Sequence, residues 1–183
     1  MHFAPDAERS LEFVVRLANS DPGASRSGED ELSTVEQLTE LLETCRYTGR
    51  IDHTDAERRE VLAVRRELRE VWSLGRDAAV DAVNRMLRDA NASPYLVRHD
   101  DEDWHIHATE PTAPLAERMR VEAALALVDV IRTNEMGRLR VCGADDCIGL
   151  FLDLSRNGSK RYCSVRCGNR VNMMAFRERQ SVG

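Results

Sequence analysis

The chain has 183 residues, which is enough for one hydrophobic core of ordinary size and a small additional module. Charged residues make up 32% and aromatic residues only 5%, so we expect a mainly α-helical protein with a core of leucine, valine and alanine. The sequence has no apolar run long enough to span a membrane and no recognisable signal peptide, which predicts a cytoplasmic protein without a membrane partner.

Charge is distributed unevenly along the chain. The formal net charge is −6, but the segment from Arg138 to the end holds nine basic and four acidic residues and therefore carries +5. The remainder carries −11. A basic segment attached to an acidic one is typical of a nucleic-acid contact surface, and an ordinary solvated surface is the alternative.

Five helices are predicted before the basic segment. Pro5 suits the first turn of the first helix, and Ser33-Thr-Val-Glu36 and Thr54-Asp-Ala-Glu57 are capping boxes that open the second and third. The many arginine and glutamate side chains of the third helix are expected to form a solvated, paired surface. The fifth helix is strongly amphipathic and should be the spine of the domain. The predicted helices span residues 6–19, 33–45, 54–74, 77–90 and 112–133.

A small β-hairpin is predicted near residues 94–108, with its turn at 99–102, because apolar and polar residues alternate there. His105 and His107 lie two apart and therefore share a face, which we expect to be exposed because no third metal ligand is apparent nearby. A metal site or a pH-sensing pair is the alternative. The side chains expected to face the helices are Tyr95, Val97, Trp104 and Ile106.

Four of the five cysteines form two close pairs near the end of the chain. Cys142 and Cys147 make the first pair and Cys163 and Cys167 the second, with 15 residues between the pairs. Four thiolates in this arrangement are the tetrahedral ligand set that a structural zinc ion prefers. The alternatives are four unrelated buried thiols or two disulfides, and a cytosolic location disfavours disulfides. Cys45 lies in a predicted helix and is expected to be a small core residue.

The elements predicted around the pairs form a treble-clef-like zinc finger. A knuckle at 142–147 is followed by a strand at 150–152, a turn at 155–158, a return strand at 160–162 and a helix at 164–179. Zinc would stabilise this segment, which has too few apolar side chains to fold alone. The apolar side chains of the last helix that are expected to pack inward are Val165, Val171, Met174 and Phe176.

This segment resembles the CGNR zinc-finger family. The motifs that carry the resemblance are the knuckle Cys142/Cys147, the pattern Phe151-x-Asp153-x-Ser155-x-Asn157, the step Arg161-Tyr162-Cys163-Ser164, and the tetrapeptide Cys167-Gly168-Asn169-Arg170. The resemblance implies one structural zinc ion, a DNA-binding role, and an upstream helical domain of the ABATE type. We therefore expect a helical domain over 1–137 and a zinc finger, hereafter the finger, over 138–183.

Four residues of the family signature have structural roles under this interpretation: Asp153, Gly168, Asn169 and Arg170. Gly168 would leave room beside the zinc or for a close backbone approach. Asn169 could hydrogen-bond the knuckle. For Arg170 an ion pair with Asp153 is favoured over a contact with DNA.

The function predicted for the chain is zinc-dependent DNA binding in transcription regulation, with the helical domain sensing a signal or a partner. The alternative is a zinc-stabilised module that binds another protein and no nucleic acid. An enzyme is disfavoured and no catalytic residue is predicted, because four thiolates leave no open zinc position. The sequence is also compatible with a homodimer. The predicted DNA contacts are Arg156, Lys160, Arg161, Arg166 and Arg177.

Overall fold

The computed structural model describes residues 3–98 and 103–181, so the turn predicted at 99–102 lies outside the described residues. The fold is mainly α with small hairpins, as predicted, and no helix within the described part of the chain is long and apolar enough to cross a membrane. The helices are α1 (Pro5–Asn19), α2 (Val35–Thr44), α3 (Asp55–Trp72), α4 (Arg76–Asp89), α5 (Leu115–Arg132) and α6 (Val165–Ser181). The strands are β1 (Tyr95–Val97), β2 (His105–His107), β3 (Leu139–Val141) and β4 (Leu150–Leu152).

Side-chain caps fix the starts of α2 and α3. The Thr34 hydroxyl accepts a hydrogen bond from the Gln37 amide, and the Gln37 side chain accepts one from the Thr34 amide. This capping box lies one residue later than the predicted one. At α3, Thr54 caps the helix as expected, whereas the Glu57 carboxylate accepts hydrogen bonds from the amides at 52 and 53.

Helix α5 is the centre of the helical core, as its amphipathic pattern predicts. It packs against α1, α3 and α4, and its apolar face is almost entirely removed from solvent. Burial of apolar side chains on this scale is the main source of folding free energy. The buried side chains of α5 include Leu115, Met119, Ala123, Leu127 and Val130.

The finger begins with a hairpin that belongs to the same core. Strand β3 pairs antiparallel with β4, and Leu139, Leu150 and Leu152 pack in one cluster with the side chains of the helices. The prediction that β4 pairs with a return strand at 160–162 was wrong, since those residues form no strand. The knuckle therefore lies at the tip of the β3–β4 hairpin instead of before it.

Polar contacts complete the attachment of this hairpin to the helices. The Asn19 side chain accepts from the Leu150 amide at 2.7 Å and donates to the Leu150 carbonyl at 2.8 Å, as a neighbouring strand would. Arg69 donates to the carbonyls of Ala18 and Ile148, and the Trp72 indole donates to the backbone of β3. The start of the finger is thus held by side chains of α1 and α3.

The predicted faces of the β1–β2 hairpin were wrong. The register pairs Tyr95 with His107, and Val97 with His105. Because residues directly opposite in an antiparallel pair point to the same side, the histidines share the face of Tyr95 and Val97, and a shift of one residue would reverse this. His105 is only 8% exposed, whereas Trp104 on the other face is 63% exposed.

A buried arginine ties the 20–31 loop to α3. The Arg65 guanidinium donates to both carboxylate oxygens of Asp30, at 2.8 and 2.7 Å, and to the Ser20 hydroxyl at 3.0 Å. The expected solvated surface of α3 is therefore interrupted here, because the Arg65 side chain is only 7% exposed. The hydrogen bonds from Arg65 lower the pKa of Asp30 below its ordinary value.

Replacing Asp30 by asparagine should lower the free energy of unfolding by about 2–3 kcal/mol at neutral pH, because it leaves a buried guanidinium without its counter-ion. The folded-state pKa of Asp30 lies below the unfolded value of about 3.9. The pair therefore stabilises the protein above that pH, and the contribution is lost as pH falls through the lowered folded-state pKa. Urea unfolding at several pH values should show the difference from wild type shrinking in acid.

Asp52→Asn is the matched control, because Asp52 forms an ion pair with Arg50 in which both side chains are well exposed. This change should cost much less than Asp30→Asn at neutral pH. Equal costs for the two variants would show that the Arg65 pair does not stabilise the fold.

Candidate metal centre

The four paired cysteines come together as one cluster, as predicted. Their Sγ atoms all lie within 4.8 Å of one another, and Cys163 Sγ is 3.7 Å from both Cys147 Sγ and Cys167 Sγ. A tetrahedral zinc ion with Zn–S distances of about 2.3 Å separates its sulfur ligands by about 3.8 Å. The donor set therefore fits one structural zinc ion, held by Cys142, Cys147, Cys163 and Cys167.

The knuckle turns tightly so that both of its sulfurs face the cluster. The Cys142 amide donates to the Gly149 carbonyl at 2.7 Å, and the Cys147 amide donates to the Ala144 carbonyl at 3.0 Å. The Gly149 amide in turn donates to Cys147 Sγ at 3.4 Å. A Cβ atom at Gly149 would lie 3.0 Å from Cys163 Sγ and 3.2 Å from Cys147 Sγ, so a larger residue here would push against two sulfur atoms. The sequence interpretation missed Gly149.

The second pair straddles the start of α6. Cys163 precedes the helix and Cys167 lies in its first turn, where the Ser164 hydroxyl accepts a hydrogen bond from the Cys167 amide at 3.2 Å. Serine is a favoured residue at this capping position. The free amide groups and the dipole at a helix N-terminus also favour the negative charge of a thiolate.

Burial changes the pKa values of these thiols. It raises the pKa of Cys163 and of Cys147. It also acts to raise the pKa of Cys167, but hydrogen bonds from Ser164 and the neighbouring thiols bring that pKa below its ordinary value. Zinc binding must therefore displace protons from this cluster.

Asp153 organises the loop that follows β4. Its side chain is fully buried and accepts hydrogen bonds from the amide and hydroxyl of Ser155 and from the Lys160 amide. Arg140 lies 3.4 Å from the same carboxylate. Burial acts to raise the pKa of Asp153, but these partners hold it below its ordinary value. Asp153 thus closes the 153–160 loop against β3.

The favoured ion pair between Arg170 and Asp153 was wrong. Arg170 instead donates to Asp146 at 2.6 Å, and its Nη2 lies 3.7 Å from Cys167 Sγ. The Asp153 carboxylate is already occupied by loop amides and by Arg140. Arg170 therefore joins α6, which supplies Cys167, to the knuckle, which supplies Cys142 and Cys147.

The other two signature residues differ in their surroundings. A Cβ atom at Gly168 would lie 3.3 Å from the Tyr162 ring, so the glycine accommodates this ring. Asn169 is exposed, and the hydrogen bond to the knuckle considered for it is absent from the described part of the chain.

The predicted DNA contacts are all on the surface of the finger: Arg156, Lys160, Arg161, Arg166 and Arg177. Lys160 Nζ lies 5.4 Å from the centroid of the Phe151 ring, and the Arg161 guanidinium lies 5.5 Å from that of Tyr162. Arg166 donates to the Arg26 carbonyl at 2.9 Å, which places the exposed Arg26 beside the start of α6. No local pattern could have indicated Arg26, because 140 residues separate it from Arg166.

The predicted inward face of α6 was largely wrong. Val171 packs against the cysteine cluster, but Val165 is 80% exposed, and Met174 and Phe176 are about half exposed. The helix continues beyond the small module that it anchors. Its apolar side chains therefore have too little structure on which to pack.

Comparison with known families agrees with this architecture. Residues 138–180 match the CGNR zinc finger, which contains all four cysteines of the cluster. Residues 11–134 match the ABATE family, described as "Putative stress-induced transcription regulator". The chain therefore belongs to the ABATE family and carries a C-terminal CGNR zinc finger. A comparison with curated proteins found no match.

Gly149→Ala should weaken zinc binding by at least about tenfold, because the added methyl group would push against two sulfur ligands. Gly137→Ala is the control, since nothing lies within 4 Å of a Cβ at that glycine. Competition with a chromophoric chelator measures both affinities. Unchanged zinc affinity in Gly149→Ala would contradict the packing described for the knuckle.

Proposed function

We propose that this protein is a zinc-dependent transcription regulator whose finger binds duplex DNA. The observation that carries the proposal is the surface position of all five candidate cations on a module that zinc holds together. Phosphate contacts by arginine and lysine supply most of the affinity of DNA-binding proteins. The description of the ABATE family as a stress-induced transcription regulator supports the regulatory role.

The distribution of charge supports an orientation in which the finger faces DNA. The segment from Arg138 onward carries +5 and the remainder −11. A phosphate backbone attracts the finger and repels the helical domain, so the field of the protein favours this approach. The negative charge of Asp146 opposes this approach only in part, because Asp146 forms an ion pair with Arg170.

Helix α6 is the element best suited to a groove. It has 17 residues, and the described part of the chain shows Asn169, Asn172 and Met173 exposed along it. Asparagine can form paired hydrogen bonds with adenine, and apolar side chains contact the thymine methyl group. Arg166 and Arg177 on the same helix would contact phosphate or guanine.

The remaining assignments follow from this role. Residues 1–137 would form the domain that senses a signal or a partner, and residues 138–183 the module that binds DNA. The protein would act in the cytoplasm and would not need catalytic activity. A homodimer would strengthen binding, since one finger offers few base-reading side chains.

Salt dependence of DNA binding tests the proposal. If about five cations meet phosphates, log K should fall with log salt at a slope of about −4 to −5. The double variant Lys160→Glu/Arg161→Glu should reduce that slope by about two and weaken binding strongly. Arg66→Glu/Arg85→Glu is the control, because it makes the same charge change on exposed residues of α3 and α4.

A second candidate function is protein binding without nucleic acid. It is favoured by the apolar side chains that α6 exposes: Val165, Met173, Met174 and Phe176. Two results together would replace DNA binding by protein binding as the proposed function. The wild-type protein would show no DNA affinity at about 150 mM salt, and the two charge variants would not differ in DNA affinity.

A further inference from the structure

One loop of the helical domain contacts the finger beside both cysteine pairs. The amide of Ile148, which directly follows the first pair, donates to the Gly23 carbonyl at 3.2 Å. Arg166, which lies between the two cysteines of the second pair, donates to the Arg26 carbonyl at 2.9 Å. Both carbonyls belong to the 20–31 loop. Two segments that are distant in sequence and supply different zinc ligands are therefore held by the same loop.

The residue after the first cysteine pair is fixed on both sides of its backbone. The Ile148 amide is bound by the loop, and the Ile148 carbonyl accepts from Arg69 of α3 at 2.7 Å. Arg69 also donates to the Ala18 carbonyl at 2.8 Å, which holds the guanidinium at the end of α1. A Cβ atom at Gly23 would lie only 2.7 Å from Ile148 Cδ1, so the glycine lets the Ile148 side chain lie against the loop.

The 20–31 loop is itself well fixed by hydrogen bonds. The Glu31 amide donates to the Ser20 carbonyl at 2.9 Å and closes the loop at its base. The amides of Ala24 and Ser25 both donate to the Asp21 carbonyl, at 2.9 and 2.8 Å. The buried arginine of α3 described above holds the far end of the loop. The loop can therefore hold the two ligand segments in a fixed relation to the helices.

The finger has little packing of its own with which to hold its sulfur atoms. Among the described residues, the buried apolar side chains of the cluster around the cysteines are Cys142, Ala144 and Cys167. Groups that fix the backbone beside a metal ligand reduce the ordering that binding requires. Loss of such outer contacts typically lowers metal affinity by about 10- to 100-fold.

We propose that Arg69 and the 20–31 loop position the zinc ligands, so that zinc affinity is coupled to the conformation of the helical domain. The coupling is reciprocal, because zinc that orders the knuckle and α6 also stabilises the loop that both contact. A partner or small molecule that displaces the loop weakens zinc binding, and zinc weakens the binding of that partner by the same factor. The helical domain thus controls the finger through contacts beside the cysteines.

Competition for zinc between the full-length protein and a chromophoric chelator tests the positioning role. Arg69→Gln removes the guanidinium that binds the Ile148 carbonyl and should weaken zinc binding at least about tenfold. Arg66→Gln is the matched control, because it removes the same charge from an exposed arginine of the same helix. Far-UV circular dichroism should show the helices intact in both variants.

Hydrogen exchange of the wild-type protein with and without zinc tests the coupling in the reverse direction. Zinc should slow exchange of the Ala24 and Ser25 amides at least about fivefold, although both residues lie in the helical domain. The amides of α4, which packs against α3 and α5, are the internal control and should not change.

Both results are required. Weaker zinc binding in Arg69→Gln than in Arg66→Gln, together with zinc-dependent protection of Ala24 and Ser25, supports the coupling. Equal zinc affinity in the two variants overturns it, and so does exchange at 24 and 25 that zinc leaves unchanged. The exchange measurement uses wild-type protein and therefore decides the matter even if Arg69→Gln does not fold. Neither measurement involves DNA, so failure of the coupling is distinct from failure of the proposed function.

Discussion

Replacement of Cys163 by serine is expected to abolish zinc retention and to unfold the knuckle and α6. Cys163 Sγ lies 3.7 Å from both Cys147 Sγ and Cys167 Sγ. Binding of a structural zinc ion typically supplies about 10–16 kcal/mol, and little apolar burial would remain to hold α6. Metal analysis should find no zinc, and hydrogen exchange should show that the amides of α6 have lost protection.

The same experiment should leave the helical core intact. Leu139, Leu150 and Leu152 pack among the helices, so β3 and β4 should keep much of their protection after zinc is lost. Cys45→Ser is the control and should retain zinc, because Cys45 lies outside the cluster. Protected α6 amides in zinc-free protein would contradict this account.

Leu150→Ala should lower the free energy of unfolding of the whole protein by about 2–5 kcal/mol. Leu150 is only 2% exposed and lies in the core that α5 organises, although it stands between the two cysteine pairs. Its replacement leaves a cavity at the contact of β4 with α1. Urea unfolding of zinc-loaded protein, followed by far-UV circular dichroism, measures the loss.

Val141→Ala provides a matched control in the same hairpin. Val141 pairs directly with Leu150 in the strand register but is 47% exposed, so its truncation removes little buried surface. A similar loss of stability in both variants, or a loss below about 1 kcal/mol for Leu150→Ala, would show that the hairpin is not part of the core.

The sequence predicted the helices and the zinc ligands because both depend on local patterns. Apolar residues at helical spacing placed α5, and each cysteine pair lies within six residues of chain. The family resemblance added the zinc finger, and the match over 138–180 confirms it. Arg156, which lies in the predicted turn at 155–158, is exposed as expected for a residue of a polar turn.

Contacts between distant segments could not be predicted in the same way. Strand β4 could pair with the segment before it, 139–141, or with the segment after it, 160–162. Pairing with 139–141 allows Leu139 to be buried against the helices. Arg170 pairs with Asp146 because backbone amides of the 153–160 loop already donate hydrogen bonds to the Asp153 carboxylate. The histidine face depended on a register in which a slip of one residue exchanges the two sides.

The most direct test of the proposed function is selection of duplex DNA from a random-sequence pool by zinc-loaded full-length protein at about 150 mM salt. Cys167→Ser, which removes one cysteine of the cluster, is the control. An enriched sequence motif that disappears in the control is the predicted result. No enrichment and no retained DNA with fully zinc-loaded protein would contradict the account.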